Sequence, residues 1–183
     1  QAVKWVGRCG ECQAWGSVTE VGAVTARTTA ASAVDRPAIP IGEVDVRRAV
    51  ARPTGVPEFD RVLGGGIVPG AVVLVAGEPG IGKSTLLLDV AARAARSGDH
   101  GDRKVLYVSG EESSAQVRTR AERIEAMARS LYLASETDLA TVLGQIDALQ
   151  PELVIVDSVQ TISSAEVEGS AGNVSQVREV AAS

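Results

Sequence analysis

Residues 77–85 read GEPGIGKST, which is the phosphate-loop pattern G-x-x-x-x-G-K-[ST]. Each residue type in the pattern has a physical role. The glycines allow backbone N–H groups to curl around phosphate oxygens, Lys83 reaches the β- and γ-phosphates, and the Ser84 hydroxyl ligates Mg²⁺. The motif therefore predicts a site for ATP and Mg²⁺. Its nucleotide-binding residues are Gly77, Glu78, Pro79, Gly80, Ile81, Gly82, Lys83, Ser84 and Thr85.

The sequence on either side of the motif supports this interpretation. Residues 71–76 are an apolar run of strand length, and residues 86–92 continue the motif as a helix former. A strand, a loop and a helix in this order bring the free N–H groups and the partial positive charge of the helix N-terminus to the phosphates. The flanks therefore favour nucleotide binding over a chance glycine-rich turn.

Three further apolar runs, at residues 105–109, 131–133 and 153–156, predict additional strands. Amphipathic helical patterns separate these runs. Ser113 opens the first helix and Asp138 caps the second. Strands that alternate with helices predict an α/β fold, in which a parallel sheet is flanked by helices.

The composition agrees with this fold class. Apolar residues make up 45% of the 183 residues, and with one Phe, two Tyr and two Trp the core must consist mostly of Val, Leu, Ile and Ala. No apolar run approaches the ~18 residues that span a bilayer, and no signal segment is visible, so we expect a cytoplasmic protein. The net charge of −5 neither demands nor excludes binding to DNA.

Carboxylates follow two of the predicted strands. The last strand ends at Asp157, where a sheet delivers one carboxylate to the Mg²⁺ shell beside a phosphate loop; a helix-capping role is the alternative. Glu111 and Glu112 follow the second strand, at the edge where α/β sheets bind ligands. We predict Glu111 as the catalytic carboxylate and Glu112 as its substitute, the alternative being two solvated charges near a helix start. Lys83 and Asp157 complete the predicted catalytic set.

Cys9 and Cys12 form a Cys-x-x-Cys pair near the N-terminus. A structural zinc ion takes four ligands, and no second pair is present; His100, the only histidine, lies in a polar stretch far along the chain. Three interpretations are open: half of a zinc site, a redox pair, or two cysteines without a special role. Trp5 and Trp15 bracket the pair and would cover a small metal knuckle. We expect two thiolates alone not to hold zinc stably.

Three segments are predicted along the chain. Residues 1–22 are a partial zinc finger, residues 23–50 are a linker and lead-in, and residues 51–183 are the ATPase core. The linker is small and polar and has no helical or strand period.

Several of these motifs together resemble one protein family. The stretches LGGGIVPGAVVLVAGEPGIGKSTLLLDVA, YVSGEES, VIVDSVQTI and EVEGSAGNVSQVRE are similar to those of the RadA/Sms recombination proteins, a bacterial branch of the RecA-like, DnaB-like hexameric ATPases. The N-terminal stretch KWVGRCGECQAWGSV is similar to the second half of the four-cysteine zinc motif of that family. The resemblance covers nearly the whole chain.

The resemblance implies a RecA-like ATPase for DNA repair that forms hexameric rings and binds single-stranded DNA. Alongside the RecA recombinase, it would drive branch migration of recombination intermediates. The resemblance implies that residues 77–85 are the phosphate loop, that Asp157 is the aspartate on the Mg²⁺ side and that Glu111 is the catalytic glutamate. Residues 166–176, after the aspartate, would line the DNA channel. They include no lysine and no aromatic residue for stacking, and an ordinary surface loop is the alternative.

Some features of the family are missing from this sequence. These are the first cysteine pair, the Lys-Asn-Arg-Phe-Gly motif and the Lon-protease-like domain. We therefore expect a fragment, incomplete at its C-terminus, whose complete parent protein binds Zn²⁺. Two other functions compete: a KaiC-type ring that phosphorylates itself, and a non-enzymatic module that binds nucleotide.

Overall fold

The computed structural model describes residues 7–16, 37–97 and 103–183. Contacts between residues divide the chain into two compact units, Gln1–Val44 and Asp45–Ser183. The described part of the first unit contains a short hairpin and one 3-10 turn. The second unit contains the helices and the sheet.

The second unit alternates helices and strands along the chain. Its elements are α1 (Pro57–Val62), α2 (Lys83–Arg96), β1 (Val105–Ser109), α3 (Ser114–Arg123), β2 (Leu131–Ser135), α4 (Leu139–Leu149), β3 (Leu153–Asp157) and α5 (Val174–Ala182), with 3-10 turns at Val46–Ala49 and Val159–Thr161. The strands pair in parallel in the order β2-β1-β3. The predicted α/β fold with a parallel sheet flanked by helices is confirmed.

β1 is the central strand, and all five of its residues are buried. Val105 and Tyr107 pack in one core cluster with apolar residues of α2 and α3. Leu106 and Val108 pack in a second cluster with apolar residues of α4. Helices therefore cover both faces of the sheet, which explains why this stretch of sequence is continuously apolar rather than alternating.

The two predicted helix starts are confirmed. Ser113 and Gln116 form a capping box at α3, in which the Ser113 N–H donates to the Gln116 side chain at 3.0 Å. Asp138 caps α4 by accepting a hydrogen bond from the Thr141 N–H at 2.8 Å. Both caps are local in the chain, and each sets the point at which a helix begins after a strand.

The predicted strand at residues 71–76 is wrong. This segment forms no ladder with the described strands, and Val72 and Leu74 are 90% and 80% exposed. An apolar run does not specify a partner, and a strand exists only where a neighbour completes its backbone hydrogen bonds. In the described part of the chain the sheet therefore has three strands, and the phosphate loop follows an irregular segment.

Gly110 lies where the chain leaves β1 and passes close to the 3-10 turn after β3. A Cβ atom at this position would lie 2.0 Å from the Thr161 Oγ1 and 2.8 Å from the Thr161 Cβ. The Gly110 N–H also donates to the Asp157 carbonyl oxygen at 3.1 Å. Glycine is therefore required for the segments that follow the two strands to approach each other.

Within the described residues, none of the helices has the length and apolar character needed to cross a bilayer.

We expect Gly110→Ala to lower the free energy of unfolding by about 1–3 kcal/mol, because the added methyl group must displace Thr161. Gly144→Ala is the matched control. Apart from the two neighbouring residues and the backbone of its own helix, no atom lies within 4 Å of a Cβ built at Gly144 in α4, so this change should raise stability by about 0.5–1 kcal/mol through helix propensity. Urea denaturation measures both effects. Wild-type stability of the Gly110→Ala variant would contradict the close approach.

Candidate nucleotide site

The phosphate loop leads directly into α2. Gly80 and Gly82 have φ angles of +81° and +99°, in the left-handed region that glycine adopts at low cost. Lys83 is the first residue of α2, and its Nζ donates to the carbonyl oxygens of Gly77 and Glu78 at 2.8 Å each. Gly82, the N-cap, has no side chain to cap the first-turn N–H groups. These N–H groups and the ammonium are the donors that bind phosphate at a helix N-terminus.

A contact at the C-terminal end of α2 indicates the direction in which the helix runs. Arg96, the last residue of α2, donates to the carbonyl oxygens of Glu125 and Met127, which precede β2. The C-terminal end of α2 therefore lies at the end of the sheet where the parallel strands begin. A helix of this length spans about 20 Å, and its apolar face packs on the sheet. Its N-terminus is accordingly directed toward the opposite edge, where the strands end.

β1 and β3 end at the same edge of the sheet. Their parallel register pairs Ser109 with Asp157, so the residues that follow both strands meet. The Ser158 Oγ donates to the Glu111 Oε1 at 2.8 Å, across this edge. The peptide bond between Asp157 and Ser158 is cis. The structure therefore brings Glu111 to the residue next to Asp157.

A buried hydroxyl contacts the predicted Mg²⁺-side aspartate. The Tyr107 OH donates to the Asp157 Oδ2 at 2.6 Å, and the Tyr107 side chain is only 1% exposed. Burial raises the pKa of Tyr107 far above its ordinary value, and the hydrogen bond and charge of Asp157 raise it further. The hydroxyl therefore stays protonated and acts as a donor to the carboxylate.

The two glutamates after β1 have different partners. Glu112 forms an ion pair with Arg120 of α3, whose side chain is 17% exposed. Glu111 is exposed, and its carboxylate accepts the hydrogen bond from Ser158. The ion pair gives Glu112 a structural contact, whereas Glu111 faces solvent at the edge of the sheet. This difference favours Glu111 over Glu112 as the residue that contacts a water molecule.

The residues present fit ATP and Mg²⁺. Backbone N–H groups of the loop and the Lys83 ammonium are donors for phosphate oxygens. The Ser84 hydroxyl and the Asp157 carboxylate are oxygen ligands of the kind that Mg²⁺ prefers, and Mg²⁺ needs only one or two such protein ligands beside phosphates and water. The chemistry of this donor set is that of a metal-nucleotide site.

One buried side chain holds the segment between β3 and α5. Gln176 is 1% exposed, and its Oε1 accepts from the Ser164 N–H at 2.8 Å. Its Nε2 donates to the carbonyl oxygens of Ser164, Val167 and Gly169 at 3.1, 2.5 and 3.2 Å. The predicted DNA-channel loop, residues 166–176, therefore overlaps the first turn of α5 and is tied to it.

The cysteine pair lies in a hairpin of residues 7–16. The Cys9 N–H donates to the Ala14 carbonyl oxygen at 3.1 Å and closes the turn. Backbone hydrogen bonds from Cys12 and Glu11 lower the pKa of the Cys9 thiol below its ordinary value. A lowered pKa favours the thiolate, which is the form of cysteine that binds metals.

Trp5, which was predicted to cover the cysteine pair, lies outside the described residues, and so does His100, which was not predicted to join that site. Trp15 is 74% exposed, and its ring centroid lies 5.3 Å from the Arg8 guanidinium carbon. Within residues 7–16, 37–97 and 103–183, no group of three or more His, Cys, Asp or Glu side chains is placed to hold a metal ion.

Comparison with known proteins places the chain in a family. A family model described as an AAA domain matches residues 36–181. The chain belongs to the AAA-domain family. The proteins named DNA repair protein RadA from Mycobacterium tuberculosis, Mycolicibacterium smegmatis and Streptococcus pyogenes are 54%, 50% and 44% identical to it. These matches cover 99%, 100% and 100% of the chain and confirm the resemblance to the RadA/Sms proteins.

The chain spans about two fifths of the length of these relatives, with shares of 38%, 40% and 40%.

Tyr107 and Ser158 were not predicted as site residues, and Gln176 was predicted only as the last residue of the DNA-channel loop, not as the side chain that holds it. For Tyr107 the signal in the sequence is a tyrosine inside a continuously apolar strand, because a buried tyrosine hydroxyl needs a hydrogen-bond partner. The sequence does not show that this partner is Asp157. Ser158 and Gln176 carry no comparable signal.

We expect Gln176→Ala to lower the free energy of unfolding by about 2–4 kcal/mol, because the Ser164 N–H and three carbonyl oxygens lose their partner. Gln145→Ala, at an exposed position of α4, is the control and should change stability by less than about 0.5 kcal/mol. Denaturation measures stability, and limited proteolysis reports whether cleavage increases between residues 164 and 172. Unchanged cleavage and stability in Gln176→Ala would contradict the conclusion that Gln176 holds the segment between β3 and α5.

Proposed function

We propose that this chain is the ATP-hydrolysing part of a DNA-repair protein. In this proposal the protein forms a hexamer, binds single-stranded DNA and uses ATP to drive branch migration of recombination intermediates, in cooperation with the RecA recombinase. The names of the relatives support a role in DNA repair, and membership of the AAA-domain family supports nucleotide-dependent activity.

The observation that carries the proposal is the arrangement at the carboxyl edge of the sheet. Asp157 ends β3, and Ser158 binds the exposed carboxylate of Glu111. α2, which begins at Lys83, is directed toward this same edge. ATP hydrolysis requires a helix start that binds the phosphates, a carboxylate that binds Mg²⁺ and a carboxylate that activates water. The start of α2, Asp157 and Glu111 are these parts.

Each residue has a separate role in the proposed mechanism. The loop N–H groups and Lys83 would bind the phosphates, and Ser84 and Asp157 would hold Mg²⁺, which would offset negative charge on the phosphate oxygens. Glu111 would accept a proton from the water whose oxygen bonds to the γ-phosphorus while the bond from that phosphorus to the ADP oxygen breaks. Ser158 orients the Glu111 carboxylate through the hydrogen bond at 2.8 Å. Glu112 stays paired with Arg120 and takes no part in proton transfer.

Two competing functions use the same nucleotide site. A KaiC-type ring would transfer the γ-phosphate to one of its own hydroxyl groups, and a binding module would hold ATP without cleaving it. The position of Glu111 favours hydrolysis over both. Its exposed carboxylate lies next to Ser158, the residue after Asp157, where it could activate a water molecule. Phosphoprotein accumulation without free phosphate would support the KaiC-type function.

We also propose that Cys9 and Cys12 supply two of four zinc ligands in the complete protein. The hairpin at residues 7–16 supports this, because it holds a Cys-x-x-Cys pair in a tight turn whose backbone hydrogen bonds lower the pKa of the Cys9 thiol. A second cysteine pair would complete the tetrahedral shell.

We expect the full-length protein to hydrolyse ATP and single-stranded DNA to increase the rate. Lys83→Ala should abolish turnover while the fold is retained, because the ammonium contacts the loop backbone and no core residue. Lys104→Ala is the matched control and should keep turnover. Lys104 precedes β1, and its ammonium donates to the carbonyl oxygen of Leu149, the last residue of α4. Phosphate release measures turnover. Normal hydrolysis by Lys83→Ala would show that the site is elsewhere, and turnover that DNA leaves unchanged would contradict the DNA-dependent function.

We expect Glu111→Gln to keep ATP affinity and to reduce turnover by about 10²-fold or more, because an amide cannot act as a base. Glu112→Gln is the control; it should lower stability, because Arg120 loses its partner, while turnover changes only a few-fold. Steady-state phosphate release, nucleotide-binding titration and thermal denaturation separate these effects. A large loss of turnover in Glu112→Gln, with Glu111→Gln unaffected, would transfer the catalytic role to Glu112.

A further inference from the structure

Tyr107 occupies a special position in the sheet. It lies on β1, the central strand, and its ring packs in the core cluster that also contains Leu88 and Ile155. The register pairs Tyr107 with Ile155, so its hydroxyl extends along β3 to Asp157, which lies two residues further on. The side chain therefore joins the core of the domain to the carboxylate at the edge of the sheet.

The contact restricts a carboxylate that otherwise has few partners. In the described part of the chain, the Tyr107 hydroxyl is the one group that forms a hydrogen bond to the Asp157 side chain, at 2.6 Å to Oδ2. A carboxylate at the end of a strand can rotate about its side-chain bonds. Binding a metal ion stops this rotation, and the lost side-chain entropy weakens the binding. With Oδ2 accepting this hydrogen bond, Oδ1 has no hydrogen-bond partner among the described residues and can bind a metal ion.

We propose that Tyr107 is a positioning residue that holds Asp157 for Mg²⁺ binding. This inference rests on the proposed function, in which Asp157 lies on the Mg²⁺ side of the nucleotide. A merely structural role for Tyr107 makes a different prediction: loss of the hydroxyl would then lower stability and leave the dependence on Mg²⁺ unchanged. Groups that orient metal ligands typically change metal affinity by about 10- to 100-fold when they are removed.

The test measures how Mg²⁺ strengthens the binding of a fluorescent, non-hydrolysable ATP analogue to the full-length protein. We expect Tyr107→Phe to need about tenfold more Mg²⁺ for half-maximal binding. Its affinity for the analogue in EDTA should equal that of the wild type, which also shows that the variant is folded. The matched control is Tyr132→Phe, which removes the hydroxyl of a 42% exposed tyrosine on β2 and should behave as the wild type.

Two further variants separate the inference from the proposed function. Asp157→Asn should raise the Mg²⁺ concentration needed for half-maximal binding of the analogue. Adding Tyr107→Phe to it should cause no further increase, because Tyr107 acts through Asp157. If Asp157→Asn has an effect and Tyr107→Phe has none, the inference is wrong and the proposed function stands. If Asp157→Asn also has no effect, both are wrong.

A last variant covers the case in which Tyr107→Phe does not fold. Asp157→Glu retains the carboxylate but displaces it from the Tyr107 hydroxyl by one methylene group, without changing the core. We expect this variant to need more Mg²⁺ than the wild type for half-maximal binding of the analogue, and a wild-type Mg²⁺ requirement would overturn the positioning.

Discussion

The parallel, in-register pairing of β1 with β3 is the contact on which the rest of the site depends. The ladder sets Ser109 opposite Asp157, so the two strands end at the same level. Glu111 can then reach Ser158, and the Tyr107 hydroxyl can reach the aspartate. A shift of the register by one residue would turn the side chains of one strand to the other face of the sheet. Neither contact would survive such a shift.

Features that depend on local pattern were predictable from the sequence, and features that depend on a distant partner were not. The apolar runs of β1, β2 and β3 lie between helices, and Ser113 and Asp138 cap helices through hydrogen bonds to residues three positions along. The run at residues 71–76 has the same apolar character, but nothing within it encodes a partner strand. The contacts of Tyr107 and Glu111 span 50 and 47 positions, so no local pattern predicts them.

The choice between Glu111 and Glu112 shows the same limit. Both follow an apolar strand and precede a helix, and the sequence ranks them by neither charge nor spacing. The structure separates them because α3 carries Arg120, which binds Glu112 at the edge of the helix. A charged pair that is partly buried holds its members in place, since breaking it would leave one charge without a partner. Glu111 has a neutral hydroxyl as its partner instead and keeps its charge available.

The segment after β3 connects the nucleotide site to the proposed DNA-binding loop. Thr161 donates through its hydroxyl to the Ser158 carbonyl oxygen at 2.8 Å, and Ser163 exchanges backbone hydrogen bonds with the chain that leads into α4. From Ser164 onward the Gln176 side chain holds the backbone. Hydrogen bonds hold this segment at Thr161, Ser163, Ser164, Val167 and Gly169, so a displacement of Asp157 or Ser158 would strain several of them. In the proposed function, nucleotide at the sheet edge and DNA at the loop would therefore act on one continuous, hydrogen-bonded segment.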